Sequence, residues 1–304
     1  MIKRWRADGD TTLDDALVRV FRDPTALADG RVFVARVRAT DGSMPIARGV
    51  TIEVGSAQHA EVAPLAILHE NDDYIVVDKP AGLVSVPDHH GHDSLQARVA
   101  AHRSVPIESV HPTSRLDRGV SGVLIFALGK TGREDLTAAR ERGEYERLYL
   151  ALAEHAPATA DGTWNDRIGR DAKDPRKRAV NGKDSTHAST EYRVLAHATH
   201  GVLLALRPKT GRTHQLRVHA AHAGLPLDGD PTYGGRTRIV SDVGAILPLA
   251  RVALHAHRVE LPWRHGRRAF VAPVPAELHA AWRAVGGTDD AWDAPRSDIF
   301  ARGT

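Results

Sequence analysis

Ser114-Arg115-Leu116-Asp117-Arg118-Gly119-Val120-Ser121-Gly122 runs directly into Val123-Leu124-Ile125-Phe126-Ala127. The apolar run reads as a buried strand, and the turn before it, closed by Ser121 and Gly122, sets one carboxylate, Asp117, at its mouth. Arg115 and Arg118 flank that carboxylate. Nearby positive charge favours the charged form of an acid, so Asp117 is available as a nucleophile or base. A surface Arg-Asp-Arg cluster capping a strand fits the same residues equally well, and the decision passes to the rest of the chain.

Working outward, residues 74–78, 145–153, 190–195, 202–207 and 252–261 join 123–128 as expected strands. Residues 94–101, 132–140 and 213–223 read as helices, the last ended by Gly224, and 275–285 reads as a terminal helix with Pro275 at its first turn. Strands and helices do not alternate as in a doubly wound parallel fold, so the expected class is α+β on a mixed, mostly antiparallel sheet. Residues 1–62 read separately, as a small α/β module. Leu13, Ala16, Leu17, Val20 and Phe21 recur at helical spacing, residues 31–37 and 50–54 read as strands, and Gly42-Ser43-Met44-Pro45 is a turn. The expected organisation is this module at 1–62, a linker near 60–64, a large domain over 65–285 and a flexible tail over 286–304.

The chain has 304 residues, enough for a large core and a small one. Hydrophobic residues at 42% and charged residues at 26% are ordinary for a soluble protein. A formal net charge of +3 with a pI near 9.3 is compatible with a nucleic-acid partner. With no cysteine, disulfides and thiolate metal sites are excluded. No apolar run reaches about 18 residues and no signal-peptide pattern opens the chain, so a cytoplasmic protein without a membrane partner is expected.

The Asp117 segment resembles the catalytic loop of the RluA-type pseudouridine synthases, enzymes that isomerise uridine in RNA. Further blocks resemble that family in its order: Ile67 to Leu83 with its Lys79-Pro80-Ala81-Gly82 turn, Arg147-Leu148-Tyr149-Leu150-Ala151, Gly211-Arg212-Thr213-His214-Gln215-Leu216-Arg217-Val218-His219, Gly229-Asp230-Pro231-Thr232-Tyr233-Gly234 and Leu254-His255-Ala256. The resemblance covers roughly residues 65–275. It departs at Ser114, where the family has histidine (His111 lies three residues earlier), at Val120, where it has threonine, and in a longer linker over 236–250. The N-terminal order resembles a worn-down S4 RNA-binding module, whose basic face is reduced here to Arg19 and Arg22. Contact with RNA and a purely structural cap both fit that module.

The resemblance implies a catalytic set of Asp117, Tyr149 and Arg217: the aspartate acts on the sugar, the arginine pairs with it, and the tyrosine stacks on the uracil and offers a hydroxyl that can move the C2′ proton. It implies RNA contacts from Arg115, Arg118, Arg212, His214 and Gln215, with Arg115 filling the gap left by a flipped base. The reaction breaks the C1′–N1 bond, turns the base and rejoins it through C5, so no cofactor is expected. The basic run from Arg167 to Lys183 reads as a flexible arm that tracks the RNA backbone. The implied partner is ribosomal or transfer RNA, bound by a monomer.

Two other functions stay open on the residues. A non-catalytic RNA-binding or ribosome-assembly factor could share the fold, although retention of Asp117, Tyr149 and Arg217 together speaks against it. A histidine-ligated hydrolase would use His214, His219 and His222, or Asp88-His89-His90-Gly91-His92-Asp93. The first set lacks the glutamate of a His-Glu-x-x-His pattern, and no metal site is expected.

Overall fold

The computed structural model describes every residue except 1, 24–25, 28–31, 36, 40, 56–63, 88–92, 242–243, 264–265, 294–298 and 301–304. The expected linker at 60–64 falls almost entirely outside the described residues, and the His89–His92 part of the histidine-rich loop does so too. The chain divides into two compact units, one over residues 1–64 and one that begins at Leu65.

In the larger unit, ten strands form one sheet. Its main order is Asp161–Trp164, Thr190–Ala198, Gly201–Pro208, Glu146–Ala153, Leu254–Trp263, Ser121–Leu128, Tyr74–Lys79 and Ile67–Glu70, with Gly266–Val271 and Val110–Pro112 as side branches. Ser121–Leu128 runs parallel to Leu254–Trp263, and the other pairings in this sheet are antiparallel. The fold is therefore α+β on a mixed, mostly antiparallel sheet, as the pattern of elements implied.

The continuous apolar run in the decisive segment has a simple cause. Leu124 and Phe126 enter one core cluster with Ile75, Val77 and Tyr149, while Val123, Ile125 and Ala127 enter another with Val76, Val259 and Phe270. A central strand covered on both faces has no position left for alternating polar residues. The close approach of Ser121–Leu128 to its parallel partner depends on Gly122, whose φ is +116°; a Cβ at this position would lie 2.2 Å from the Ala256 carbonyl oxygen. Beside it, Ser121 Oγ and His255 Nδ1 form a buried hydrogen bond at 2.9 Å that braces the two strands.

The helices Leu95–Arg103, Gly129–Glu141, Gln215–His222 and Ala276–Ala284 flank this sheet. Ser94 caps the first by accepting the Ala97 amide at 3.2 Å. Leu278 and Trp282 of the last pack on Leu150, Leu152 and Leu203.

The structure corrects several expectations. Arg167 to Lys183 is not a flexible arm: Arg167–Arg170, Arg178–Val180 and Lys183–His187 form a three-stranded sheet. The expected linker at 236–250 contains a hairpin, Arg238–Val240 with Ile246–Pro248. The flexible tail expected from Gly286 is structured as far as a short helical turn, Asp289–Asp293, because Trp292 is buried against Trp282; farther on, Phe300 lies under the Arg207 guanidinium at 4.5 Å. In the smaller unit, Val20 is exposed while Leu13, Ala16, Leu17 and Phe21 are buried. The helix Leu13–Ala16 continues there as a wider turn over Leu17–Phe21, which carries Val20 off the apolar face.

The smaller unit is a four-stranded sheet ordered Ile2–Arg6, Thr51–Gly55, Val32–Val34, Val37–Arg38, with a two-strand pair, Thr11–Thr12 and Pro45–Ile46. The single strand expected over 31–37 is a tight hairpin, with Ala35 at φ +48°. Arg19 and Arg22 are both exposed.

Candidate active site

Each side chain of the site is fixed by the local structure beneath it. In the 114–120 loop, Leu116 is buried and its backbone is clamped by Ser85, whose Oγ accepts the Leu116 amide at 3.0 Å and donates to the Leu116 carbonyl at 2.8 Å. The Lys79-Pro80-Ala81-Gly82 turn straps the far side. Gly82 N donates to the Arg118 carbonyl at 2.7 Å, and Arg118 Nε donates back to the Gly82 carbonyl at 2.9 Å. Lys79 is wholly buried and donates Nζ to the carbonyls of Pro80 at 2.9 Å, Leu83 at 2.6 Å and Arg118 at 3.4 Å. Burial and the neighbouring Arg251 charge bring its ammonium down to about 7.

With the loop so held, Arg115 and Arg118 are exposed and Asp117 lies between them, its side chain 26% exposed. Asp117 Oδ2 accepts a hydrogen bond from Arg217 Nη1 at 2.9 Å. Arg217 comes from the Gln215–His222 helix and is itself gripped by Asp230, which accepts Nε at 2.7 Å and Nη2 at 2.8 Å. Burial works against the guanidinium's charge, yet the hydrogen bonds to Asp230 and Asp117 outweigh it and raise Arg217 above an ordinary arginine.

His214, at φ +58°, turns the chain into that helix. Its Nδ1 is 2.7 Å from the Tyr233 hydroxyl, and its Nε2 lies 3.8 Å from Asp117 Oδ2. Burial pushes the imidazole below its usual value against the pull of Asp117, so it is neutral at pH 7. The Tyr233 hydroxyl accepts the Arg178 amide at 3.0 Å, and its ring stands 5.0 Å from the Arg217 guanidinium carbon.

Tyr149 lies in Glu146–Ala153 at a shift in register against Leu254–Trp263, the kind of irregularity that re-aims a side chain. It is buried in one cluster with Leu116, Leu206 and Leu216. Burial, with a smaller push from Asp117, raises its phenol above the usual value.

Asp117, Arg217 and His214 thus come together. Tyr149 is within the electrostatic reach of Asp117, and Arg115 and Arg118 stand at the open side. Arg212 is exposed and donates Nε to the His187 carbonyl at 3.0 Å. Gln215 has another use. It is buried, accepts from Thr210 Oγ1 and Arg212 N, and donates to the Ser189 carbonyl and Thr190 Oγ1, so its amide braces the loop from inside instead of facing a ligand. Sequence alone assigns no role to Asp230, Tyr233 and Lys79, although their signal is present in the Gly-Asp-x-x-Tyr-Gly block and the Lys-Pro-x-Gly turn. A cavity of about 600 Å³ adjoins Arg217 and Asp230, walled also by Gly82, Arg118, Arg251 and Glu277.

An acid held by one edge of a doubly anchored arginine, beside a buried tyrosine, suits the stabilisation of a charged centre in a partly desolvated cleft. The sheet itself is shared with solved pseudouridylate synthases. It matches Human RNA Pseudouridylate Synthase Domain Containing 1 with a TM-score of 0.57 at 24% identity, over 75% of this chain and 93% of that one. It matches Human RNA Pseudouridylate Synthase Domain Containing 4 with a TM-score of 0.56 at 22% identity, over 72% and 92%.

Sequence narrows the class. Residues 73–222 match the RNA pseudouridylate synthase family. The chain is 36% identical to Ribosomal large subunit pseudouridine synthase D of Nitrosomonas europaea over 242 residues, 77% of this chain and 69% of that protein. It is 31% identical to the protein of the same name from Escherichia coli K12 over 288 residues, 88% of each. The chain belongs to the RNA pseudouridine synthase family and is an isomerase that modifies RNA.

Proposed function

We propose that this enzyme converts uridine to pseudouridine in large-subunit ribosomal RNA, with Asp117 as the nucleophile. The observation that carries the proposal is Arg217, locked by the buried Asp230 and presenting its free edge to the partly exposed Asp117. A carboxylate oxygen of Asp117 bonds to C1′ as the C1′–N1 bond breaks, and the electron pair leaves with the uracil. The base turns, C5 bonds to C1′, and the carboxylate departs. The C5 hydrogen is then lost as a proton and N1 gains one, so the product is an isomer and nothing is oxidised or reduced.

Tyr149 offers an aromatic face for the detached base, and Arg115 fills the stack from which the base is taken. Arg118, Arg212 and His214 line the approach to RNA, whereas Gln215 holds the loop that carries Arg212. The names of the two bacterial relatives support ribosomal RNA as the substrate. On this reading the enzyme works in the cytoplasm, where bacterial ribosomes are made. It works as a monomer, since one chain supplies Asp117, Arg217 and Tyr149.

The test is tritium release from large-subunit ribosomal RNA carrying 5-tritiated uridine. Wild type releases tritium, and Asp117→Asn loses more than about a thousandfold in rate, roughly 4 kcal/mol of barrier, while still binding the RNA. Release by Asp117→Asn within about tenfold of wild type refutes the nucleophile. Silence of the wild type on this RNA alone refutes the substrate.

A further inference from the structure

In the small three-stranded sheet, Arg170 stands in the middle strand, directly opposite Arg178 on one side and Lys183 on the other. Three cations in one cross-strand row repel one another and destabilise the sheet that holds them. Arg212 joins them, tied by Nε to the His187 carbonyl at the end of the same sheet. Together they line a concavity of about 220 Å³, with Asp184 as its single carboxylate. None of the four cations forms an ion pair with a carboxylate among the described residues. Arg217, Arg236 and Arg207, by contrast, each face at least one acid. The volume falls below the about 300–1,000 Å³ of sites that enclose whole small-molecule ligands, and suits a compact anion.

This concavity is joined to the catalytic loop by a short chain of contacts. The Arg178 amide donates to the Tyr233 hydroxyl at 3.0 Å, and that hydroxyl meets His214 Nδ1 at 2.7 Å. Arg212 precedes His214 by two residues, and His214 Nε2 lies 3.8 Å from Asp117 Oδ2. We infer that the concavity among Arg170, Arg178, Lys183 and Arg212 seats one backbone phosphate of the RNA, on a nucleotide flanking the uridine held at Asp117. The inference rests on the reading of Asp117 as the reacting group. An anion in the concavity relieves the repulsion of the row, and the Tyr233 bridge fixes its place relative to the reacting sugar.

The experiment measures binding of the full chain to a 20-nucleotide oligouridylate by fluorescence anisotropy at several salt concentrations. Tritium release is scored separately, so a catalytic failure does not decide it. Arg170→Gln with Lys183→Gln lowers the slope of log affinity against log salt by about 0.7, the share of one phosphate on a single strand, and weakens binding about fivefold at 0.1 M salt. A control that removes two exposed cations elsewhere, Lys130→Gln with Arg133→Gln, leaves the slope unchanged. Because the repulsion is relieved, the Tm of Arg170→Gln with Lys183→Gln lies at or above that of wild type. An unchanged slope, an equal loss in the control, a Tm below wild type, or no oligouridylate binding by wild type each overturns the proposal.

Discussion

Arg217 and Asp230 meet edge to edge, Nε to Oδ2 at 2.7 Å and Nη2 to Oδ1 at 2.8 Å, which leaves Arg217 Nη1 alone to face Asp117. Asp230 is 1% exposed and Arg217 11%, so the pair is a fixed mount. It sets the direction in which the one remaining donor points.

Asp230→Asn keeps the shape of that mount and removes its charge. Breaking one side of a buried pair leaves Arg217 with the partly exposed Asp117 as its remaining charge partner, and a stability loss of about 3 kcal/mol, the low end for such a break, is expected. The rate per folded molecule falls as well, by about a hundredfold or 2.7 kcal/mol of barrier, because Arg217 no longer holds Asp117 in place. Urea unfolding and tritium release under folded conditions separate the two. A variant that loses stability but keeps its rate makes Asp230 a packing residue only.

Tyr149 divides two roles. Burial raises its phenol, so at neutral pH the hydroxyl carries its proton and is a poor base. On the proposed mechanism, stacking on the base then falls to the ring. Tyr149→Phe keeps turnover within about tenfold of wild type, whereas Tyr149→Ala loses at least about a hundredfold. Equal and large losses in both variants assign a proton-transfer role to the hydroxyl.

Lys79 makes stability depend on pH. Its ammonium titrates near 7 when folded and near 10.5 when unfolded. Between those values the unfolded chain binds the extra proton, so stability rises with pH, by at most about 1.4 kcal/mol per pH unit. Below pH 7 both states carry the proton and the dependence on this group vanishes. Urea midpoints for wild type are expected to climb from pH 7 to 9.5, and those of Lys79→Met to stay level. A climb of the same size in Lys79→Met assigns the effect to another group.

Asp117, Arg217 and the buried strand behind Gly122 were legible because each sits in a run of neighbouring residues whose order carries the information. Asp230, Tyr233 and Lys79 were not, since their roles arise where separate loops converge and no local pattern records that meeting. The three-stranded sheet reads as an arm in the sequence for a different reason. Its strands span three to five residues and bury only Ile168 and Gly169, so no apolar alternation marks them. Gln215 shows a further limit: a polar residue at a helix start does not reveal whether its amide turns inward, and here four internal partners take it.

Arg115 is exposed two residues before Asp117, above the clamped Leu116, and has no hydrogen-bond or ion-pair partner among the described residues. A free guanidinium on a fixed backbone can enter a base stack and offset the cost of extruding a base, about a few kcal/mol. That cost exists only where the target is stacked or paired. Arg115→Ala should therefore slow tritium release from a stem-loop more than from an unfolded strand of the same sequence, by a further factor of about ten, or 1.4 kcal/mol. Arg115→Lys falls between, because an ammonium keeps the charge but cannot stack as a plane. If both variants lose equally on both substrates, Arg115 is a phosphate contact and another group takes the place of the flipped base.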